Sequence, residues 1–179
     1  MRDSIKPILI AALTLAVITA VVVAALGLTD LLTRDTIAAQ SEKATNEACQ
    51  AFFENATFGE AALPASGAWP EGVVAVYEAK RDGAVVGYVV KTSTTGKASG
   101  LEVMTGIGID GAVVGVSVVN DGETAGYVKS VTEGGLLDRL KGVKGDASAV
   151  EGVSQATKTS NGIKEDVSLA LAVYEEVKA

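Results

Sequence analysis

Histidine is absent from this sequence of 179 residues, and cysteine occurs once, at Cys49. Ser-His-Asp and Cys-His nucleophilic catalysis are therefore excluded, because each needs an imidazole as general base. Histidine-ligated zinc, copper and haem sites are excluded too, and a single thiol can build neither a four-cysteine metal site nor an internal disulfide. Any chemistry performed by this protein is expected to depend on a cofactor that needs neither residue.

Basic residues are also few, with 15 Lys and Arg against 22 Asp and Glu, which gives a net charge of −7. Nucleic acid is not expected as a partner, because its phosphates require a basic surface and no run of Lys and Arg occurs. The mean hydropathy of +0.33 is high for a soluble protein. One segment of the chain must account for it.

That segment runs from Ile8 to Leu28 without a charged residue. At 1.5 Å per residue it is about 30 Å long, which matches the apolar core of a bilayer. Arg2 and Lys6 precede it and Asp30 follows it, which predicts a cytoplasmic N-terminus with the remainder of the chain outside. A cleaved signal peptide and a buried helix are the alternatives, but the first has a shorter apolar region and the second needs burial on all sides. We expect residues 1–32 to form a cytoplasmic start and a single-pass anchor in the cell membrane.

The next segment, from Thr33 to Phe53, lacks Gly and Pro and carries apolar residues at helical spacing. It predicts a connecting helix, assigned to residues 33–58, on which Cys49 is expected to be a packing residue rather than a redox group. Two of the three prolines lie between Gly59 and Gly72, which predicts a loop at the start of a folded domain over residues 59–179.

Two hairpins are predicted by Asp-Gly pairs, which supply the positive φ of tight turns, between apolar runs. The first joins Val73–Ala79 to Ala84–Thr92, and the second joins Leu101–Ile109 to Ala112–Val119. Both faces of these strands are fairly apolar, which indicates a sheet covered on both sides. The predicted fold is α+β: an antiparallel sheet of hairpins flanked by helices.

Two helices are predicted after the hairpins. Ser130 to Leu140 is a candidate for a short helix, although Gly134-Gly135 interrupts it. Asn161 to Val177 predicts an amphipathic helix, with apolar residues along one face. Glu165 and Asp166 are expected in its first turn, where the helix dipole favours carboxylates.

Hydroxyl groups are concentrated directly before this last helix, in Glu151-Gly-Val-Ser-Gln-Ala-Thr-Lys-Thr-Ser-Asn161. Ser, Thr and Asn are the usual N-cap residues, so a helix cap is the simpler interpretation from the residues alone. A cap needs one such residue, however, and the run contains several. Free N–H groups and the positive end of the dipole also favour a phosphate at a helix N-terminus, with Lys158 as an adjacent cation. Both interpretations stay open at this point.

The run resembles the flavinylation motif of the FMN-binding domains in the G subunit of Rnf complexes and the C subunit of sodium-pumping NADH:quinone reductases. That motif reads Asp, two variable residues, Ser or Thr, Gly, Ala, Thr, and is commonly followed by one residue and Thr-Ser. It departs here at Glu151, where Asp is usual, and at Gln155, where Gly is usual and permits backbone angles that Gln resists. The matching residues are Ser154, Ala156, Thr157, Thr159 and Ser160.

The resemblance implies that Thr157 carries FMN through a phosphoester bond. It also implies that the neighbouring motif residues bind the cofactor: Ser154, Ala156, Lys158, Thr159 and Ser160. Asn120-Asp-Gly-Glu-Thr-Ala-Gly126 resembles a Glu-Thr-Pro-Gly loop that lies near the flavin in this family. Glu123, Thr124 and Gly126 are therefore candidates for lining the pocket, with an ordinary turn as the alternative.

The function implied by the resemblance is electron transfer within a membrane-bound, ion-translocating ferredoxin:NAD oxidoreductase (Rnf) complex. The chain would have no stand-alone activity, catalytic residue or metal. Its implied partners are the other membrane subunits, a flavin transferase and membrane lipid, and its flavin domain would be extracytoplasmic. Two alternatives stay open: an anchored module of this fold that serves another electron-transfer system, and a sensing or scaffold module without flavin.

Overall fold

The computed structural model describes residues 12–24, 43–64, 67–95, 99–121 and 126–178. The chain divides into two units, Met1–Glu42 and Lys43–Ala179. In the first unit, residues 12–24 form a helix with exposed side chains. Among the described residues, no helix is both long enough and apolar enough to cross a membrane. Both ends of the predicted anchor, Ile8–Leu28, lie outside the described residues.

In the described part of the second unit, five strands form a single antiparallel sheet, and each strand pairs with the next along the chain. The sheet and its flanking helices confirm the predicted α+β class. The first strand occupies residues for which a helix end and a loop were predicted. No strand was predicted there because its four residues are mostly exposed and show no apolar alternation. The strands are β1 (Thr57–Glu60), β2 (Val73–Arg81), β3 (Ala84–Thr95), β4 (Ser99–Gly108) and β5 (Val113–Asp121).

Both predicted hairpins are present. Asp82 (φ 52°) and Gly83 (φ 82°) form the two-residue turn between β2 and β3, in the left-handed conformation that a type I′ turn requires. In the second hairpin Gly111 has a φ of 76°. Gly87 of β3 pairs with Gly108 of β4, so both turns lie at the same end of the sheet.

The described residues of the second unit form four helices beside the sheet. The predicted helix from Ser130 to Leu140 is wrong as a single element, because the chain forms two short helices there. Gly134 and Gly135 separate them, and Gly135 adopts a left-handed φ of 74° that a continuing helix cannot contain. The helices are α1 (residues 43–52), α2 (Tyr127–Glu133), α3 (Leu136–Arg139) and α4 (Thr157–Val177). Residues 33–42 of the predicted helix Thr33–Phe53 lie outside the described residues.

The sheet is covered on both faces, as its two-sided apolarity predicted. One face packs against α2, α3 and α4, and Leu101 and Ile163 are completely buried there. The opposite face packs against α1 around Cys49 and Met104. Burial raises the pKa of the Cys49 thiol to about 11. Cys49 is therefore a neutral packing residue on this face.

Candidate functional site

Helix α4 begins at Thr157, earlier than the predicted start at Asn161. Its N-cap residue is Ala156, which makes no side-chain capping hydrogen bond. The interpretation of the hydroxyl run as a helix cap is therefore wrong. The helix start is instead set by a turn in which the Ala156 N–H donates to the Val153 carbonyl at 3.2 Å.

The hydroxyl side chains of the motif fall into two pairs. Thr159 and Ser160 are completely buried, and Ser160 Oγ accepts a hydrogen bond from the Val153 N–H at 3.1 Å. Ser154 and Thr157 are exposed. An ester can form only on a hydroxyl that a second molecule can reach, so exposure singles out Ser154 and Thr157. Of these two residues, Thr157 lies in the first turn of α4.

The backbone at this helix start is oriented to bind an anion. The first intrahelical hydrogen bond at this end runs from the Ser160 N–H to the Ala156 carbonyl at 2.8 Å. The N–H groups of Thr157 and Lys158 precede it, where a helix offers them no acceptor of its own. The positive end of the helix dipole and the exposed Lys158 add to the attraction for negative charge.

An open cavity of about 260 Å³ lies beside the start of α4. It is bounded by the first residue of α2 on one side and by the start of α4 on the other. The lining residues are Tyr127, Gln155, Ala156, Thr157, Lys158 and Thr159. The cavity therefore brings together most of the residues selected from the motif, although its volume is smaller than the 350 Å³ cavity beside the middle of α4.

Gln155 adopts a left-handed conformation with φ of 68°. The other described non-glycine residues with positive φ are Asn55 and Asp82, and Asn and Asp adopt this conformation more readily than Gln does. The motif usually has Gly at this position, and the structure shows the reason: the turn before α4 needs a positive φ. Gln155 holds that conformation at a cost of about 1–2 kcal/mol.

The segment before α4 is fixed against α2 and α3. A Cβ added to Gly134 would lie 2.7 Å from the Val153 side chain, so the end of α2 packs directly on this segment. Arg139 of α3 donates to the Glu151 carbonyl at 3.2 Å and to the Gly134 carbonyl at 2.8 Å. These contacts hold the segment that precedes α4 against the end of α2 and against α3.

Two family models match this chain. A model of the RnfG N-terminal region matches residues 1–51, and a model of the FMN-binding domain matches residues 96–172. The chain is also 30% identical over 188 residues to the G subunit of the Na⁺-translocating ferredoxin:NAD⁺ oxidoreductase complex of Acetobacterium woodii, and the match covers 92% of this chain and 90% of that protein. The chain belongs to the RnfG family. The family predicted from the motif is thus confirmed, and the chain is a homologue of an oxidoreductase subunit.

The FMN-binding-domain match of this RnfG family member contains β4, β5, α2, α3 and most of α4. Thr157 and its cavity therefore lie inside the matched region. The donor set also fits FMN, because an exposed hydroxyl, an open helix N-terminus and an exposed cation meet beside an aromatic side chain.

The remaining predicted residues are distributed unevenly around this cavity. Ser154 and Ser160 do not line it, although Ser160 lies directly beneath the turn that bounds it. Gly126 adopts a φ of 93° as the N-cap of α2, directly before Tyr127. Glu123 and Thr124 lie outside the described residues.

Tyr127 is the lining residue that the motif comparison missed. Its position directly after Gly126 could have indicated that it lines the cavity. Tyr127 was not selected because the residues matched to the family loop end at Gly126.

The position predicted for Asp166, in the first turn of the last helix, is wrong. It does not lie in the first turn of α4 but well inside the helix, where it is 2% exposed and faces the sheet. Burial raises the pKa of the Asp166 carboxyl to about 7, and this effect outweighs its hydrogen bond with Thr92, which lowers the pKa. The late predicted start of the helix caused this error.

Proposed function

We propose that this chain is an electron-transfer subunit of an Rnf-type ferredoxin:NAD⁺ oxidoreductase complex and that Thr157 carries FMN through a phosphoester bond. The observation that carries the proposal is the position of Thr157: an exposed hydroxyl in the first turn of α4, beside a cavity, inside the FMN-binding-domain match. The name of the Acetobacterium woodii relative supplies the complex.

Each residue of the site would have a separate part in binding the cofactor. Thr157 Oγ would be the ester oxygen. The N–H groups at the start of α4 and the Lys158 ammonium would neutralise the remaining phosphate charge. The buried Ser160, through its hydrogen bond to the Val153 N–H, would keep the turn before α4 in place.

When bound, FMN supplies the redox chemistry, which explains how a chain without histidine and with one buried cysteine can transfer electrons. The protein residues need only bind and orient the cofactor and limit its contact with water. The covalent bond at Thr157 would retain it in every redox state on a side of the membrane where a free cofactor would diffuse away.

The proposal includes a topology. Ile8–Leu28 would anchor the chain in the cell membrane, within a segment of residues 1–32, with the N-terminus in the cytoplasm. Residues 33–58 would connect this anchor to an extracytoplasmic flavin domain of residues 59–179. The partners would be membrane lipid, the other membrane subunits of the complex and a flavin transferase for maturation.

In-gel fluorescence tests the attachment. The full chain is co-expressed with a flavin transferase, denatured and separated by electrophoresis, and flavin fluorescence of its band is recorded. We expect a fluorescent band for wild type and none for Thr157→Ala. Ser154→Ala removes the other exposed hydroxyl of the motif and should retain the band. A band that persists in Thr157→Ala, or a wild-type chain without flavin in native membranes, would contradict the proposal.

Copurification tests the assembly. The chain isolated gently from native membranes should bring other membrane redox subunits with it. Isolation of a flavin-bearing chain without such subunits would favour a module of another electron-transfer system.

A further inference from the structure

The cavity beside Thr157 has two chemically different sides. The side formed by α4 offers backbone N–H groups, the Thr157 hydroxyl and the Lys158 ammonium, which suit a phosphate. The opposite side is formed by Tyr127, the aromatic residue among those that line the cavity. Tyr127 is half-buried, so part of its ring area is still available to a ligand.

The position of Tyr127 is fixed by the packing of α2. Gly126 begins this helix with a φ of 93°, and its carbonyl accepts hydrogen bonds from the Ser130 N–H and hydroxyl, each at 2.9 Å. Val131 of the same helix is completely buried. The contact between Gly134 and Val153 then ties α2 to the turn that precedes α4. Tyr127 and Thr157 are therefore presented to one cavity by elements that are packed together.

The other tyrosines do not reach this cavity. Tyr88 and Tyr174 form an edge-to-face pair, with ring centroids 5.9 Å apart, near the C-terminal end of α4. Tyr174 lies 17 residues after Thr157, which is about 26 Å along a helix. Tyr77 packs on the opposite face of the sheet, against the cluster that contains α1.

We propose that Tyr127 is a positioning residue whose ring packs against the planar ring system of the cofactor on Thr157. The inference rests on the proposed attachment of FMN to Thr157. A tethered phosphate fixes one end of the cofactor at α4 but leaves its planar ring free to rotate. An aromatic side chain opposite the tether can fix that ring in an offset-stacked or edge-on contact.

A tyrosine in contact with a flavin leaves a spectroscopic signature. On excitation an electron passes from the phenol to the excited flavin and returns, so emission is lost. Phenylalanine keeps a ring of similar shape but does not donate that electron. The ratio of flavin emission in the folded protein to emission after unfolding therefore reports contact with Tyr127.

The experiment uses the full flavinylated chain and three variants. Tyr127→Phe and Tyr127→Leu should each raise the emission ratio several-fold over wild type. Tyr127→Leu should also change the visible circular dichroism of the flavin, because the ring contact is lost, whereas Tyr127→Phe should keep it. Tyr88→Phe is the matched control, since it removes a phenol far from Thr157, and it should leave the ratio unchanged.

The outcomes separate this inference from the proposed function. If wild type carries no covalent flavin, the assignment of Thr157 fails. If the flavin is attached and the ratio in Tyr127→Phe equals that of wild type, Tyr127 does not contact the cofactor and the inference fails. An equal rise in Tyr88→Phe would also overturn it, because the effect would then not depend on the cavity.

Discussion

Replacement of Asp166 by Asn should make this protein more stable at neutral and alkaline pH. Asp166 lies between α4 and the sheet, and its Oδ2 atom is buried without a hydrogen-bond partner among the described residues. The Thr92 hydroxyl, which donates to the Val103 carbonyl at 3.3 Å, also forms a hydrogen bond with the Asp166 carboxyl that lowers its pKa, but burial raises that pKa by more. Burial therefore favours the neutral carboxylic acid at this site, and an Asn side chain of similar shape is uncharged at every pH.

The size of the effect follows from the pKa. The pKa of Asp166 is raised from 3.8 to about 7 in the folded protein. The folded state then binds more protons than the unfolded state between these values, so the free energy of unfolding falls as pH rises from about 4 to about 7. At about 1.4 kcal/mol per pH unit, the full loss is roughly 4 kcal/mol, of which about 3 kcal/mol is lost between pH 5 and pH 8.

Urea unfolding at both pH values measures this difference. Trp69 is half-buried against the core on the α4 side, so its fluorescence can report unfolding of the full chain. We expect the advantage of Asp166→Asn over wild type to be larger at pH 8 than at pH 5 by about 3 kcal/mol. Asp138→Asn is the control: Asp138 is exposed and its hydrogen bond with Lys141 lowers its pKa, so it should not alter the pH slope in this range. An equal difference at the two pH values would refute the reasoning.

Two further substitutions test backbone and packing features. Gln155→Gly should raise the free energy of unfolding by up to about 1 kcal/mol, because Gly relieves the left-handed strain but loses more chain entropy on folding. Gln155→Ala keeps the strain, so an equal gain in the free energy of unfolding for Ala would contradict this explanation. Gly106→Ala should destabilise the domain by about 1–3 kcal/mol, because its Cβ would lie 2.8 Å from the Phe52 ring. Gly59→Ala, where nothing lies within 4 Å, is its control in the same urea titration and should have little effect.

The sequence predicted those parts of the fold that depend on local backbone chemistry. Asp-Gly pairs mark the two hairpin turns because each turn needs a positive φ that Gly83 and Gly111 supply, and Asp82 adopts it as well in the first turn. The strands beside these turns then have little choice of register. β1 was missed because it has no such signal: it is a short, mostly exposed strand whose existence depends on pairing with β2. The division between α2 and α3 was not predicted, because nothing local shows that Gly135 adopts a left-handed φ of 74° or that Gly134 packs against Val153, which is distant in sequence.

In the candidate site, too, the features that depend on neighbouring residues could be predicted and those that depend on tertiary packing could not. The motif residues are consecutive, so the sequence could place them together at the start of α4. The sequence could not say which hydroxyl is exposed, because burial of Thr159 and Ser160 depends on how α4 packs on the sheet and on the turn at Val153.

A single shift in the start of α4 changes two conclusions. Capping preferences favour a start at Asn161, which would leave Thr157 in a loop and put Asp166 close to the helix dipole. The start at Thr157 instead places that hydroxyl in the first turn, and it leaves Asp166 beyond the first turn, on the face of α4 that packs on the sheet, where burial makes its charge unfavourable. The left-handed Gln155 makes this start possible, since it turns the chain directly before the N-cap Ala156. The proposed attachment site thus rests on this turn and the predicted pH dependence on the packing of α4 against the sheet, and flavin fluorescence and urea unfolding test them separately.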